Sequence, residues 1–270
     1  MSENSPWQLK MFQKTLKKKL RLKELSRILG SIGKDSRCLL VTCGDNNGAM
    51  NYYLRETGGQ WSFADLESKS INEMSLLLNQ EVKFVTYDKL PYSDKYFDLV
   101  VTIDCHEHLK DPVTFTKEIQ RVTKESGRVI ITVPGGQKTK IANILKNAVG
   151  MTKEKYGHVR EGFSTKELSI LMSNANLNPV RKRTFSRFFT EMLELGINFL
   201  YVMVLAKKSK TKVDEGTIAP ATEDQLKSVE KTYKVYSLVY PFFKIISSLD
   251  YLLFFTRGYV VIVEGRKGGA

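Results

Sequence analysis

Three histidines are the only imidazoles in the chain, and two of them flank a carboxylate in "DCHEHLKDP" (104–112): His106, Glu107 and His108. The third, His158, lies in "YGHVREGFS" (156–164). Imidazole is the side chain whose unperturbed pKa sits nearest neutrality, so each is a candidate to take a proton from a reacting hydroxyl. The His-Glu-His run also suggests a metal site, with His158 as a third ligand beside its two histidines, although no fourth ligand stands out. Tyr156 and Arg160 beside His158 are candidate substrate contacts. A guanidinium at 160 suits a phosphate or carboxylate.

A second group of residues suits a ligand held by backbone. In "LLVTCGDNNGAMNYYL" (39–54) an apolar run stops at a small polar turn, and a helical pattern begins straight after. Gly44 and Gly48 let the backbone of such a turn approach a ligand closely. No lysine follows to hold a phosphate, and the full GxGxxG pattern is absent. About twenty residues further on, Asp65 closes the next apolar run, where an acid can accept hydrogen bonds from both hydroxyls of a ribose. Tyr87-Asp88 ends a third run, where a polar side chain can meet an adenine amino group. Glycine turn and acids together describe a nucleoside site without saying which nucleoside.

These residues need a sheet to position them. "RCLLVT" (37–42), "QWSFAD" (60–65), "VKFVTY" (82–87), "FDLVVTI" (97–103), "GRVIITV" (127–133), residues 180–189 and "GYVVIVEGRK" (258–267) are strand candidates. Most are near-continuous apolar runs, as strands buried on both faces are. Helical patterns alternate with them. The pattern over 113–124 opens on Asp111-Pro112, an N-cap followed by a first-turn proline. "STKE" (164–167) is a capping box before another helix. The alternation predicts an α/β, Rossmann-like, doubly wound seven-stranded sheet, whose ligands sit at the carboxyl ends of the strands. Residues 190–256 break the pattern: an apolar run, a polar linker (207–221), then an aromatic-rich run interrupted by Lys234, Lys244 and Asp250. Those charges argue against a clean membrane span. The expected organisation is a basic amphipathic helix within 1–35, a core over 36–189, an apolar helical insertion over 190–256, and the last strand with its tail over 257–270. Residues 136–163 form either a lid or a fixed helix.

Residues 90–136, "LPYSDKYFDLVVTIDCHEHLKDPVTFTKEIQRVTKESGRVIITVPGG", carry a specific succession. Leu90-Pro91-Tyr92, Phe97-Asp98, Glu107-His108, Asp111-Pro112, Arg121, Lys124 and Gly127 fall in order. This resembles the class I S-adenosylmethionine-dependent methyltransferases, in the broad group containing the ubiquinone-biosynthesis O-methyltransferases. The resemblance covers roughly 37–190 and the closing strand. It implies in-line methyl transfer from S-adenosylmethionine, a ligand without phosphate, and so accounts for the missing lysine better than a nicotinamide nucleotide does. The implied cofactor contacts are Thr42, Gly44, Asp45 and Gly48 in the loop, Asp65 and Leu66, Tyr87 and Asp88, and Asp104 and His106. The loop departs from the family: Thr42 stands where an acid is usual and Asn46 where a second glycine is, with Asp45 a possible substitute for the acid. A shifted register that pairs Cys43-Gly44 with the family's Cys-Gly is also open. His158 lies in the segment that covers the acceptor pocket in related enzymes, and His108 orients that loop or meets the cofactor. Because Glu107-His108 already has a place in the motif, no metal is expected.

Composition narrows the partners. The net charge is +13 with 42% hydrophobic residues in 270, which suits a packed fold with an anionic partner or surface. Residues 10–23 hold seven basic residues and no acid, with Leu9, Phe12, Leu16 and Leu20 a helical turn apart. They form either a helix capping the core or one lying on an anionic membrane. No base-reading module is recognisable, so nucleic acid is not expected. Three cysteines without CxxC spacing, and an N-terminus without a signal-peptide core, suit a reducing cytoplasm, with the protein peripheral on the inner face of the membrane. The expected acceptor is lipid-like: a quinone precursor, an isoprenoid or a lipid-linked sugar. The insertion packs on the sheet, pairs two copies into a homodimer, or meets lipid. A methyltransferase-like assembly subunit without catalysis is the alternative.

Overall fold

The computed structural model describes residues 5–44, 47–137, 140–208, 220 and 222–268. Seven strands form one sheet: β1 (Arg37–Thr42), β2 (Gln60–Asp65), β3 (Val82–Phe84), β4 (Phe97–Ile103), β5 (Thr123–Pro134), β6 (Leu177–Phe185) and β7 (Val260–Lys267). The helices are α1 (Trp7–Phe12), α2 (Lys17–Leu29), α3 (Ala49–Arg55), α4 (Ile71–Leu78), α5 (Pro112–Val122), α6 (Ile141–Ala148), α7 (Thr165–Asn174), α8 (Phe188–Lys208), α9 (Glu223–Ser228) and α10 (Glu230–Ser248). The strand order is β3-β2-β1-β4-β5-β7-β6, parallel from β3 to β5, with β7 antiparallel to both neighbours. The order reverses at the β1/β4 junction, where a crevice opens beyond the carboxyl ends of the strands.

Alternation along each strand divides the core between the two faces of the sheet. Leu39, Val41, Val100 and Ile131 pack with Phe115, Ile119, Leu168 and Met172 on one side. Leu40, Val101 and Ile130 pack with Leu25, Ile28, Met50, Leu54 and Met74 on the other. Local signals hold where they were expected. Asp111 accepts from the Val113 and Thr114 backbone N–H groups, and Ser164 and Glu167 make both bonds of the capping box. The third strand is shorter than its apolar run. The sixth covers 177–185 rather than 180–189 because Ser186 turns the chain with φ 56°.

The N-terminal region corrects one expectation. It forms two helices, and Leu9, Phe12 and Leu16 are buried in the protein, so that stripe is not free to lie on a membrane. Arg128 fixes the far end of α2 by donating to the Ile28 and Leu29 carbonyls at 2.7 and 3.0 Å while pairing with Glu264 at 2.8 Å. Cations at a helix C-terminus satisfy its last carbonyls. The insertion appears between β6 and β7 as α8, α9, α10 and a 3-10 turn over Leu249–Leu253. Asp250 anchors that turn to the start of α8, accepting from the Arg187 and Phe189 N–H groups at 2.7 and 2.9 Å.

Candidate active site

A cavity of about 590 Å³ lies beyond the ends of β1 and β4. Its sheet end is lined by Thr42, Cys43, Gly44, Asn47, Glu67 and Asp104, and its far end by residues of α8 and α10, among them Leu195, Tyr236, Val239 and Phe243. Gly44 and Gly48 adopt φ +72° and +84°, where glycine is favoured. A Cβ on Gly44 would meet Glu67 Oε2 at 2.8 Å, and one on Gly48 the Met74 Cα at 3.2 Å. Asp45, a predicted contact, lies outside the described residues.

Asp65 is placed differently from the expectation. It is fully buried, and its two carboxylate oxygens accept from Thr42 Oγ1 at 2.5 Å, the Gly44 N–H at 3.0 Å and the Glu67 N–H at 2.8 Å. Both oxygens therefore brace the loop. The acid that faces the cavity is Glu67, two residues on. The Thr42 departure now has a reason: a second carboxylate at 42 would stand beside Asp65, a like-charge pair. Leu66 packs against the core instead of the cavity, its N–H donating to Thr42 O at 3.0 Å.

Burial pushes the Asp65 carboxyl up to about 6, against the opposing bonds from Thr42, Glu67 and Gly44. An acid raised in this way holds its proton more tightly folded than unfolded. Stability therefore falls as pH rises from about 4 to about 6, by about 3 kcal/mol in total. Asp65→Asn, which cannot ionise, will flatten that stretch of the stability profile. Urea melts across the interval check it, and an unchanged slope refutes it.

The residues after β4 separate sharply. Asp104, at φ 49°, pairs with Arg21 of α2 at 2.6 Å, and both line the cavity. His106 does not reach the cavity. It is fully buried against Phe115, with Nε2 3.3 Å from Thr116 Oγ1, and burial pushes it down to about 3, so it is a neutral core residue rather than a cofactor contact. Glu107 is fully buried yet lines the cavity, and neither of its carboxyl oxygens has a hydrogen-bond partner among the described residues. Burial, and then the Asp104 carboxylate, raise it well above the ordinary carboxylate range.

His108 and His158 meet edge to face with ring centres 4.7 Å apart. His108 Nδ1 lies 3.0 Å from Gly157 O, so this nitrogen carries the hydrogen and Nε2 is left as an acceptor. One ligand-type atom each of Glu107, His108 and His158 falls within 4.8 Å of the others. Of the expected donors, His106 is left out, while Glu107, His108 and His158 come together. Burial, then His108, Lys17 and Lys146, push His158 down to about 3, and burial also lowers His108. Tyr156 lines the cavity, 5.6 Å from His158 ring to ring. Arg160 does not line it: its guanidinium donates to Leu109 O at 3.1 Å and Lys110 O at 3.4 Å and stacks on Phe163. That corrects its expected substrate role. Tyr87 and Asp88 are exposed and lie outside the cavity lining.

The 136–163 segment is tied down in its described part. Lys146 of α6 pairs with the buried Glu191 at 2.7 Å, the Val159 N–H donates to Glu107 O at 3.0 Å, and the Phe163 N–H donates to Pro134 O at 2.9 Å.

Residues 39–131 match the family model described as a methyltransferase domain. The match spans about a third of the chain and is a likeness to a methyltransferase domain. The chain is 41% identical over 56 residues to norajmaline N-methyltransferase of Rauvolfia serpentina, a match covering 20% of this chain and 19% of that protein. It is 31% identical over 98 residues to the chloroplastic tocopherol O-methyltransferase of Arabidopsis thaliana, covering 34% of this chain and 28% of that protein. The chain thus aligns with under a third of either relative's length. Among solved structures, geranyl diphosphate C-methyltransferase from Streptomyces coelicolor, in complex with S-adenosyl-L-homocysteine among other ligands, overlays 92% of this chain and 76% of its own at TM-score 0.54 and 12% identity, a likeness of fold.

Three cavity residues escaped the sequence reading. Glu67 stood two residues from the acid that was chosen. Arg21 sat in a helix read only for its amphipathicity. Glu107 was read as a motif residue and metal donor, with no signal for its unpartnered burial.

Proposed function

We propose that this protein transfers the methyl group of S-adenosylmethionine to a lipid-like acceptor such as a quinone precursor, isoprenoid or lipid-linked sugar. The observation that carries the reading is one cavity joining a polar glycine-loop end to an apolar end built by α8 and α10. The donor set suits the cofactor. Glu67 offers an acceptor for ribose hydroxyls, the glycine loop offers close backbone, and Arg21 with Asp104 offers a charge pair for an amino-acid zwitterion. When bound, S-adenosylmethionine supplies a methyl group already activated on a sulfonium, so the chain chiefly aligns the acceptor and excludes water. His158 takes the acceptor's proton, with His108 Nε2 as its neighbour and Tyr156 against its ring. Glu107, kept protonated by burial, donates a hydrogen bond to the acceptor oxygen. The tocopherol O-methyltransferase is named for an acceptor of this lipid-like kind, which supports the choice.

Thr42 in place of the usual acid favours a second reading, a binding subunit that kept the fold without catalysis. Calorimetry with S-adenosylmethionine and S-adenosylhomocysteine separates the two. The catalytic reading expects micromolar binding that Glu67→Ala weakens by about tenfold or more, followed by labelled methyl incorporation into apolar lipid extracts. Folded protein that binds neither nucleoside overturns it.

A further inference from the structure

We propose that the outer face of α10, with the aromatic turn after it, docks on an anionic lipid bilayer. The helix has two apolar faces. Val229, Tyr233, Tyr236 and Phe243 line the cavity, and the Tyr236 and Tyr240 hydroxyls donate to the Lys14 and Thr15 carbonyls, holding α10 against the N-terminal segment. Leu238, Phe242, Ile245, Leu249 and Leu252 recur every three or four residues on the other face, and all are exposed, Leu238 at 78% and Phe242 at 66%. Phe254 and Phe255, at 78% and 73%, extend the stripe past the end of the helix. A contiguous apolar stripe of this kind marks an interaction surface.

Charge selects its occupant. Lys14 lies over the Tyr240 ring at 5.4 Å and Lys23 over the Tyr251 ring at 5.7 Å. Lys19 is lowered by burial and then by the neighbouring Lys244 and Lys14, so three ammonium groups share one edge of the helix. Among the described residues no carboxylate pairs with these four lysines. A cationic rim around an apolar stripe complements anionic headgroups. Two copies packed through the same face would instead bring their lysines together. Pro241 lies within the helix and has no N–H for the Ser237 carbonyl, which Lys14 Nζ approaches at 3.5 Å. Tyr251, Phe254 and Phe255 are side chains that suit the headgroup level. No described helix is long and apolar enough to cross a membrane, so the surface lies on the bilayer. Because the inner face of α10 lines the cavity, a bilayer-dissolved acceptor would meet it there, a step that rests on the function proposed above; docking itself does not.

Flotation with phosphatidylcholine vesicles, with and without phosphatidylglycerol, tests this. The full chain is expected to float with the anionic vesicles. Leu238→Glu/Phe242→Glu should lower binding by about tenfold or more, and Lys23→Gln/Lys244→Gln should weaken it and reduce its salt dependence. S-adenosylhomocysteine affinity in the same preparations, unchanged in these variants, shows that the cavity end is intact and keeps docking separate from catalysis. Wild-type protein that stays at the bottom of the gradient overturns the proposal. So does a wild-type dimer in ultracentrifugation that Leu238→Glu/Phe242→Glu dissociates, which would give the face to a second copy.

Discussion

Replacing Glu191 with alanine will destabilise the protein by about 3–5 kcal/mol, the range for removing one partner of a buried ionic group. Glu191 is fully buried at the start of α8, 2.9 Å from Lys17 of α2 and 2.7 Å from Lys146 of α6, and it accepts from Ser186 at 2.5 Å. Its loss leaves two largely buried ammonium groups facing each other without a counter-charge. Burial alone would raise this carboxyl, but Lys146, Lys17 and the hydrogen bonds hold it well below the ordinary carboxylate range. An acid depressed by folding contributes stability that is complete above its unfolded pKa and is lost as pH falls toward the folded value. Denaturant melts should therefore show the wild type losing more stability on acidification than Glu191→Ala. A variant within about 1 kcal/mol of wild type at neutral pH would mean that the triad is broken in solution.

His158→Ala will lower methyl transfer by about 10²-fold, the low end for a positioned base because an imidazole pushed down to about 3 is a weak proton acceptor, while S-adenosylhomocysteine affinity changes little. The split between rate and affinity separates this role from a structural one. The sign of the pH effect is definite. A histidine pushed down to about 3 is a free base across the whole range from about pH 5 to 8, so the rate profile lacks an inflection near the ordinary histidine value. A clear inflection there that disappears in His158→Ala would show that the imidazole is more solvated than its buried place implies. A variant with the wild-type rate removes it from the chemistry.

Much of the fold was legible because its signals are local. Continuous apolar runs marked the buried parallel strands, Asp111-Pro112 and Ser164–Glu167 marked two helix starts, and the break at 190 marked the insertion. Each depends on neighbours within a turn or on the two-residue strand period. The ordered motif over 90–136 pointed to the methyltransferase fold, and Gly44 of the glycine pair lines the cavity. The site residues were less legible, because side-chain direction in a loop after a strand follows no period. Asp65 and Glu67 are equally acidic in sequence, and His106 and His108 equally imidazole.

The sequence by itself determined the α/β class, the strand–loop–helix at the β1 end and the helical character of the insertion, through periodicity and capping that any chain segment carries within it. Only the tertiary structure decided the rest. Asp65 turned inward because Thr42 and two backbone N–H groups converge on it, leaving Glu67 for the cavity. His158 joined His108 because the 157–159 backbone bonds to the segment after β4. Arg21 reached Asp104 because Arg128 pins α2 to the sheet. The N-terminal stripe was buried while that of α10 was not, since packing against distant elements, and not amphipathic pattern, determines which of two similar faces meets solvent.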